Sequence, residues 1–130
     1  MKKRILVIED NEQNLYLMQF LLTTYGFEVD SARAGKEGVA IAQTTKPELI
    51  LLDIQLPEMD GYEVAQAIRK DSRLSLVPII AVTSYAMPGD RERAIAAGCT
   101  GYIEKPISPE TFVRQIERFL AQGAGGQCNE

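Results

Sequence analysis

The stretch that decides the fold is Leu49-Ile50-Leu51-Leu52-Asp53-Ile54-Gln55-Leu56-Pro57-Glu58-Met59-Asp60-Gly61. It begins as an apolar run of strand length and ends in turn-forming residues. A strand that is apolar at nearly every position is buried on both faces, as in a parallel sheet. Asp53 stands where the run stops, and open parallel sheets bind their ligands beyond the carboxyl ends of the strands. Asp53 is therefore either a candidate chemical centre or an ordinary solvated acid that opens a loop.

The size and composition of the chain indicate one globular domain. It has 130 residues, of which 45% are hydrophobic and 25% are charged. We expect the domain to span residues 1–121 and the glycine-rich residues 122–130 to form a flexible tail. The formal net charge of −4 and the short basic run at residues 2–4 do not favour binding to nucleic acid. No apolar run reaches membrane-spanning length, and no signal peptide precedes the first strand. We expect a soluble, cytoplasmic, stand-alone protein.

The cysteine spacing and the absence of histidine exclude several kinds of site and catalysis. Cys99 and Cys128 have neither disulfide-framework nor metal-site spacing, which favours free thiols. The chain has no histidine, so Ser-His and Cys-His catalysis are excluded. For the same reason, the chain cannot carry a phosphoryl group on a histidine of its own.

Strand and helix patterns alternate about five times along the chain, with short loops between them. Strands are predicted at residues 3–8, 27–32, 48–53, 77–82 and 100–104, and helices at residues 12–25, 35–44, 61–70, 88–97 and 109–121. In the first helix Leu15, Met18, Leu22 and Tyr25 recur at helical spacing. The alternation predicts an α/β fold: a doubly wound, five-stranded parallel sheet with helices on both faces. A strand order of 2-1-3-4-5 opens a ligand crevice between strands 1 and 3.

The carboxyl ends of these strands supply a compatible set of side chains. Strand 1 is followed by Glu9 and Asp10, strand 3 ends at Asp53, strand 4 leads into Thr83, and strand 5 leads into Lys105. Carboxylates held close together repel one another, and a hard cation such as Mg²⁺ relieves that repulsion. A metal, a hydroxyl and an ammonium together form a site for a phosphoryl group, which a carboxylate can accept as an acyl phosphate.

Each of these residues has a simpler explanation by itself. A lysine after a strand is usually solvated, and a threonine there usually serves the turn. Four strand ends that offer compatible chemistry at once are hard to explain by core packing. The sequence therefore favours a phosphoryl site, with Asp53 as nucleophile, Lys105 neutralising one phosphoryl oxygen and Thr83 donating a hydrogen bond to another.

These residues carry a family resemblance. The chain resembles the receiver domain of two-component response regulators across residues 3–121, which implies a CheY-like, flavodoxin-like fold. The matching stretches, in family order, are Ile5-Leu6-Val7-Ile8-Glu9-Asp10-Asn11, Leu52 to Gly61, Val82-Thr83-Ser84 and Tyr102-Ile103-Glu104-Lys105-Pro106. Residues 78–90 and 105–108, and the surroundings of Asp53, are similar to those of the DivK-like cell-division regulators.

The resemblance implies a role for each matching residue. Asp53 is similar to the phospho-acceptor. The metal positions are Glu9 (more often through water), Asp10, Asp53 and the backbone carbonyl of Gln55, which together imply Mg²⁺. Thr83 and Tyr102 match the switch pair, and Lys105 matches the phosphate-binding lysine. The Lys105–Pro106 bond is expected to be cis.

The resemblance also implies partners. The phosphoryl donor would be a sensor histidine kinase or a histidine phosphotransfer protein. The protein would signal by phosphorylation-dependent protein binding, through the surface of the fourth helix, fifth strand and fifth helix, or by onward phosphorelay. It would catalyse only its own phosphorylation and slow dephosphorylation.

Two rival functions belong to other classes. A small aspartyl-phosphate phosphatase would need a second acid two positions after Asp53, where this chain has Gln55, an amide that cannot protonate a leaving group. A phosphate-independent binding module would keep the fold and lose the Mg²⁺ site.

Overall fold

The computed structural model describes residues 2–84 and 87–122. Its elements are β1 (Arg4–Ile8), α1 (Glu12–Thr24), β2 (Glu28–Ala32), α2 (Gly35–Thr45), β3 (Leu49–Asp53), α3 (Gly61–Arg69), a 3₁₀ helix (Ser72–Leu74), β4 (Ile79–Thr83), α4 (Asp90–Ala97), β5 (Gly101–Glu104) and α5 (Pro109–Gln122). Helix α5 includes the first residue of the expected tail, and residues 123–130 lie outside the described residues. None of the helices described here has both the length and the apolar composition to cross a membrane.

The strands form one parallel sheet in the order β2-β1-β3-β4-β5, which confirms the predicted topology. All five residues of β3 are buried, as its apolar run predicts. Their side chains alternate between two layers: Ile50 and Leu52 pack with α2, α3 and α4, while Leu49 and Leu51 pack with α1 and α5. Burial on both faces is the reason that the central strand is apolar at nearly every position.

The loop after β3 is fixed by the start of α3. Asp60 caps this helix: its carboxylate accepts from the backbone N–H of Glu63, whose own side chain accepts from the N–H of Asp60. Gly61 follows, and its N–H donates to the carbonyl of Ile54 at 2.9 Å. A β-carbon on Gly61 would lie 2.5 Å from Ile54 Cα and 2.8 Å from the Asp53 carbonyl oxygen. The glycine therefore lets the helix start close against the residue that ends β3.

Replacing Gly61 with alanine is expected to destabilise the protein by about 2–3 kcal/mol, because the obstructing atoms are backbone and cannot swing aside. Urea unfolding measures this loss. Gly26→Ala is the comparison: Gly26 has φ +93° but nothing within 4 Å of an added β-carbon, so only local backbone strain of about 1 kcal/mol is expected. A Gly61→Ala loss no larger than that of Gly26→Ala would show that the close approach does not matter.

Two details of the predicted helices are wrong. Helical spacing puts Tyr25 on the apolar stripe of the first helix, but Tyr25 forms the C-terminal cap of α1 and its side chain is 62% exposed. The sequence predicts that α4 begins at Pro88, but it begins at Asp90, after Gly89 in a left-handed conformation. The Asp90 carboxylate accepts from the backbone N–H of Met87 at 2.7 Å, which holds the preceding turn out of the helix.

Candidate functional site

Strand pairing brings the predicted site residues to one edge of the sheet. Ile8 pairs with Leu52, so the residues that follow them, Glu9 and Asp53, lie side by side. Thr83 pairs with Glu104 across β4 and β5. The backbone N–H of the next residue, Lys105, donates to the Thr83 carbonyl at 2.7 Å. The carboxyl ends of four strands thus meet at the crevice that the topology predicts.

A buried ammonium lies between two buried carboxylates at this edge. Lys105 Nζ is 2.8 Å from Glu9 Oε1 and 3.6 Å from Asp53 Oδ2. Glu9 is 1% exposed and Asp53 is 4% exposed. Glu9 Oε1 makes no hydrogen bond of good geometry within the described ranges, so the ion pair with Lys105 is what compensates its burial. One cation therefore faces two anions in a poorly solvated position.

Asp10 adds a third carboxylate. Ligand oxygens of Glu9, Asp10 and Asp53 all lie within 4.8 Å of one another. Excess negative charge and oxygen donors at this spacing fit Mg²⁺, which binds through one or two carboxylates and keeps several waters. Gln55 lines the cleft, and its backbone N–H donates to Asp53 Oδ1 at 2.9 Å.

The surroundings of Asp53 raise the pKa of its carboxyl from 3.8 to about 6. Burial is the largest cause, and the neighbouring Glu9 carboxyl adds to it. The hydrogen bond from the Gln55 N–H and the charge of Lys105 act in the opposite direction but do not outweigh these effects. The metal-free site thus disfavours the ionised form of Asp53, which is the form that a cation would stabilise.

This pKa shift predicts how the stability of the metal-free protein depends on pH. A carboxyl whose pKa is raised on folding stabilises the folded state at low pH, and that contribution is lost as pH rises from 3.8 through about 6. We therefore expect Asp53→Asn to raise the melting temperature in EDTA more at pH 8 than at pH 5. Scanning calorimetry at the two pH values measures this difference.

Asp71→Asn is the matched control. The hydrogen bond from the Arg73 side chain lowers the pKa of the Asp71 carboxyl from 3.8. Asp71 is therefore ionised in both folded and unfolded chains at pH 5 and at pH 8, so the effect of Asp71→Asn should be the same at both. If Asp53→Asn also gave equal effects at the two pH values, the shift in the pKa of Asp53 would be refuted.

The proposed switch residues lie in the neighbouring strands β4 and β5. Thr83 ends β4 and is 3% exposed. Tyr102 lies in β5 and is 8% exposed; its hydroxyl is buried and has no hydrogen-bond partner within residues 2–84 and 87–122. The Arg91 guanidinium lies 5.3 Å from the centre of the Tyr102 ring. The Lys105–Pro106 peptide bond is cis.

Sequence reasoning misses several residues that line the cleft, among them Arg33. It follows β2 and lines the same cleft, of about 510 Å³, as Asp10, Asp53 and Lys105. Its place after the second strand is the available signal, because the carboxyl ends of all the parallel strands meet at this edge. A single arginine in a loop carries no pattern that distinguishes it from a solvated side chain.

Comparison of the sequence with known proteins identifies the family of this chain. Residues 5–117 match the family model of the response regulator receiver domain. The chain is 43% identical over 120 residues to the polar-differentiation response regulator DivK of Brucella ovis, covering 92% of this chain and 98% of that protein.

Two solved structures agree in fold. The chemotaxis protein CheY4 of Vibrio cholerae superposes with a TM-score of 0.87 at 30% identity, covering 91% of this chain and 98% of that one. The receiver domain of a sensor histidine kinase from Pseudomonas aeruginosa, which has a magnesium ion coordinated in its active-site cleft, gives a TM-score of 0.86 at 33% identity. That alignment covers 93% of this chain and 99% of that one. By sequence and by structure, this chain belongs to the response regulator receiver domain family of two-component signalling systems.

Proposed function

We propose that the protein accepts a phosphoryl group on Asp53 from a phosphohistidine of a sensor histidine kinase or histidine phosphotransfer protein in the cytoplasm, through a receiver domain at residues 1–121. The observation that carries the proposal is the buried cluster at the sheet edge, where Lys105 Nζ lies 3.6 Å from Asp53 Oδ2 and three carboxylates converge. Membership of a signalling family supports it. The chain has no histidine, so the donor must be another molecule.

The transfer exchanges one phosphorus bond for another. A carboxylate oxygen of Asp53 attacks phosphorus and forms a P–O bond while the P–N bond of the donor breaks. The bonding electron pair stays on the donor imidazole, and the product is an aspartyl phosphate. Lys105, 3.6 Å from Asp53 Oδ2, would neutralise one phosphoryl oxygen, and the hydroxyl of the buried Thr83 would donate a hydrogen bond to another. Later hydrolysis by water regenerates the carboxylate.

Mg²⁺ fits the acidic cluster described above. Asp10, Asp53 and the backbone carbonyl of Gln55 would hold it, with Glu9 acting through water. When bound, the ion supplies positive charge that offsets the charge of the phosphoryl oxygens. The three carboxylates would balance the charge of the ion, and Lys105 lies 2.8 Å from Glu9 Oε1 beside them.

The phosphoryl charge would change the protein through Thr83 and Tyr102. Thr83 ends the strand next to β5, which carries Tyr102. The Tyr102 ring is buried but its hydroxyl is unsatisfied within the described residues, which costs about 1–3 kcal/mol and weakens the preference for this position. Movement of this ring would alter the α4–β5–α5 surface. We propose that surface for output, by binding a downstream protein or by onward phosphorelay.

Intact-mass spectrometry after incubation with acetyl phosphate tests the proposed function. We expect one added phosphoryl group that requires Mg²⁺ and that hydroxylamine removes, because hydroxylamine cleaves acyl phosphates. A protein that hydrolysed p-nitrophenyl phosphate with turnover would instead be a phosphatase. A protein that bound no Mg²⁺ and took up no phosphoryl group would be a phosphate-independent binding module.

A further inference from the structure

Arg33 forms a clamp across the loop that carries Asp10. From the position after β2, its Nη2 donates to the Asp10 carbonyl oxygen at 3.2 Å, and its Nη1 pairs with Glu12 Oε1 at 3.0 Å. The backbone of Arg33 is itself held, because its N–H donates to Glu37 Oε1 at 3.0 Å. The side chain thus ties the loop after β1 to the loop after β2 through its contacts with Asp10 and Glu12.

Other hydrogen bonds restrain this loop through the next residue, Asn11, and two of them involve side chains. The N–H of Asn11 donates to Glu9 Oε2 at 3.2 Å, and the Asn11 side chain caps α1 by accepting from the N–H of Asn14 at 2.9 Å. Both bonds act on Asn11, whereas the bond from Arg33 acts on Asp10 itself. A metal ligand on a loop needs such support to keep its oxygen in place.

We propose that Arg33 is a positioning residue for Mg²⁺, acting through Asp10; the inference rests on the proposed function of the acidic cluster. A positive side chain at the rim of a cation site would weaken Mg²⁺ binding by charge repulsion alone. The partner carboxylate of Glu12, 3.0 Å away, balances that charge, so the pair adds no net charge to the cleft. Because that charge is balanced, the orientation that Arg33 gives to Asp10 should affect Mg²⁺ binding more than charge repulsion does.

If Arg33 acts on Mg²⁺ through its charge, removing it should tighten Mg²⁺ binding; if it acts by orienting Asp10, removing it should weaken Mg²⁺ binding. Measurement of the affinity therefore tests the inference. Removing Arg33 alone would leave Glu12 unbalanced and, by charge alone, would tighten Mg²⁺ binding. The double variant Arg33→Met with Glu12→Gln removes the clamp without changing the net charge. We expect it to bind Mg²⁺ about tenfold more weakly than the wild type, the low end for residues that orient a metal ligand.

The matched control is Arg4→Met with Asp30→Asn, which also leaves the net charge unchanged. Arg4 Nη1 pairs with Asp30 Oδ2 at 2.8 Å and joins β2 to the start of β1, at the end of that strand away from the cleft. This control should lose comparable stability and keep the wild-type Mg²⁺ affinity. Isothermal titration of the metal-free proteins with Mg²⁺ at neutral pH measures all three affinities.

Each outcome decides one claim. Weaker binding by the Arg33/Glu12 variant, with an unchanged control, supports the inference. Equal or tighter binding by that variant overturns it and leaves the proposed function standing. A wild-type protein without saturable Mg²⁺ binding overturns the proposed function and the inference with it.

Discussion

Asp53→Asn is expected to lower phosphoryl incorporation by more than about a thousandfold, because it removes the proposed nucleophile and leaves the rest of the site in place. The amide is close in size to the carboxylate, and it can still accept from the Gln55 N–H that now bonds Asp53 Oδ1 at 2.9 Å. The fold should therefore survive. Labelling with radioactive acetyl phosphate in the presence of Mg²⁺ measures the loss.

Asp71→Asn makes the same chemical change elsewhere and should label like the wild type. Asp71 pairs with Arg73 at 2.8 Å in the 3₁₀ region, away from the cleft. Undiminished labelling of Asp53→Asn would show that another residue accepts the phosphoryl group. The melting temperature of each variant separates a chemical loss from unfolding.

Lys105→Met is expected to slow phosphorylation by roughly a hundredfold without abolishing it, since the nucleophile remains but a phosphoryl oxygen loses its counter-charge. The substitution also leaves Glu9 and Asp53 together without their shared cation, which now lies 2.8 Å and 3.6 Å from them. Because Lys105 lowers the pKa of Asp53, its loss should raise that pKa further. The rate of acetyl phosphate labelling as a function of time measures the effect.

Lys70→Met is the control, because Lys70 is an exposed lysine at the end of α3. It should label at the wild-type rate. A Lys105→Met rate equal to that of Lys70→Met would show that the buried ammonium does not act on the phosphoryl group.

The fold could be predicted because the decisive information is local and periodic. All five residues of β3 are buried, and the four that precede Asp53 form an unbroken apolar run, which is typical of a central strand in a parallel sheet. Alternation of such runs with helical patterns leaves few topologies once right-handed crossovers are required. The convergence of Glu9, Asp53 and Lys105 could be predicted by the same logic, because all three lie at strand ends and parallel strands end at one edge.

The details that could not be predicted depend on contacts that no sequence pattern encodes. The start of α4 is set by a hydrogen bond that the Met87 backbone N–H donates to the Asp90 carboxylate, which helix propensity does not register. Arg33 acts on Asp10, 23 positions earlier in the chain. Arg69 likewise donates to the Gly98 carbonyl at 2.9 Å and to the carbonyl of Leu74 at 2.8 Å. A lone arginine in sequence gives no sign of which carbonyl it will reach.

Chemical mapping of the phosphorylated residue tests the central claim most directly. Sodium borohydride reduces an aspartyl phosphate to homoserine and leaves free carboxylates unchanged, so peptide sequencing by mass spectrometry locates the modified position. After treatment with acetyl phosphate and Mg²⁺, we predict homoserine at position 53 and unchanged acids at Glu9 and Asp10. Homoserine at another position, or an unmodified Asp53 in protein whose intact mass includes a phosphoryl group, would contradict the account.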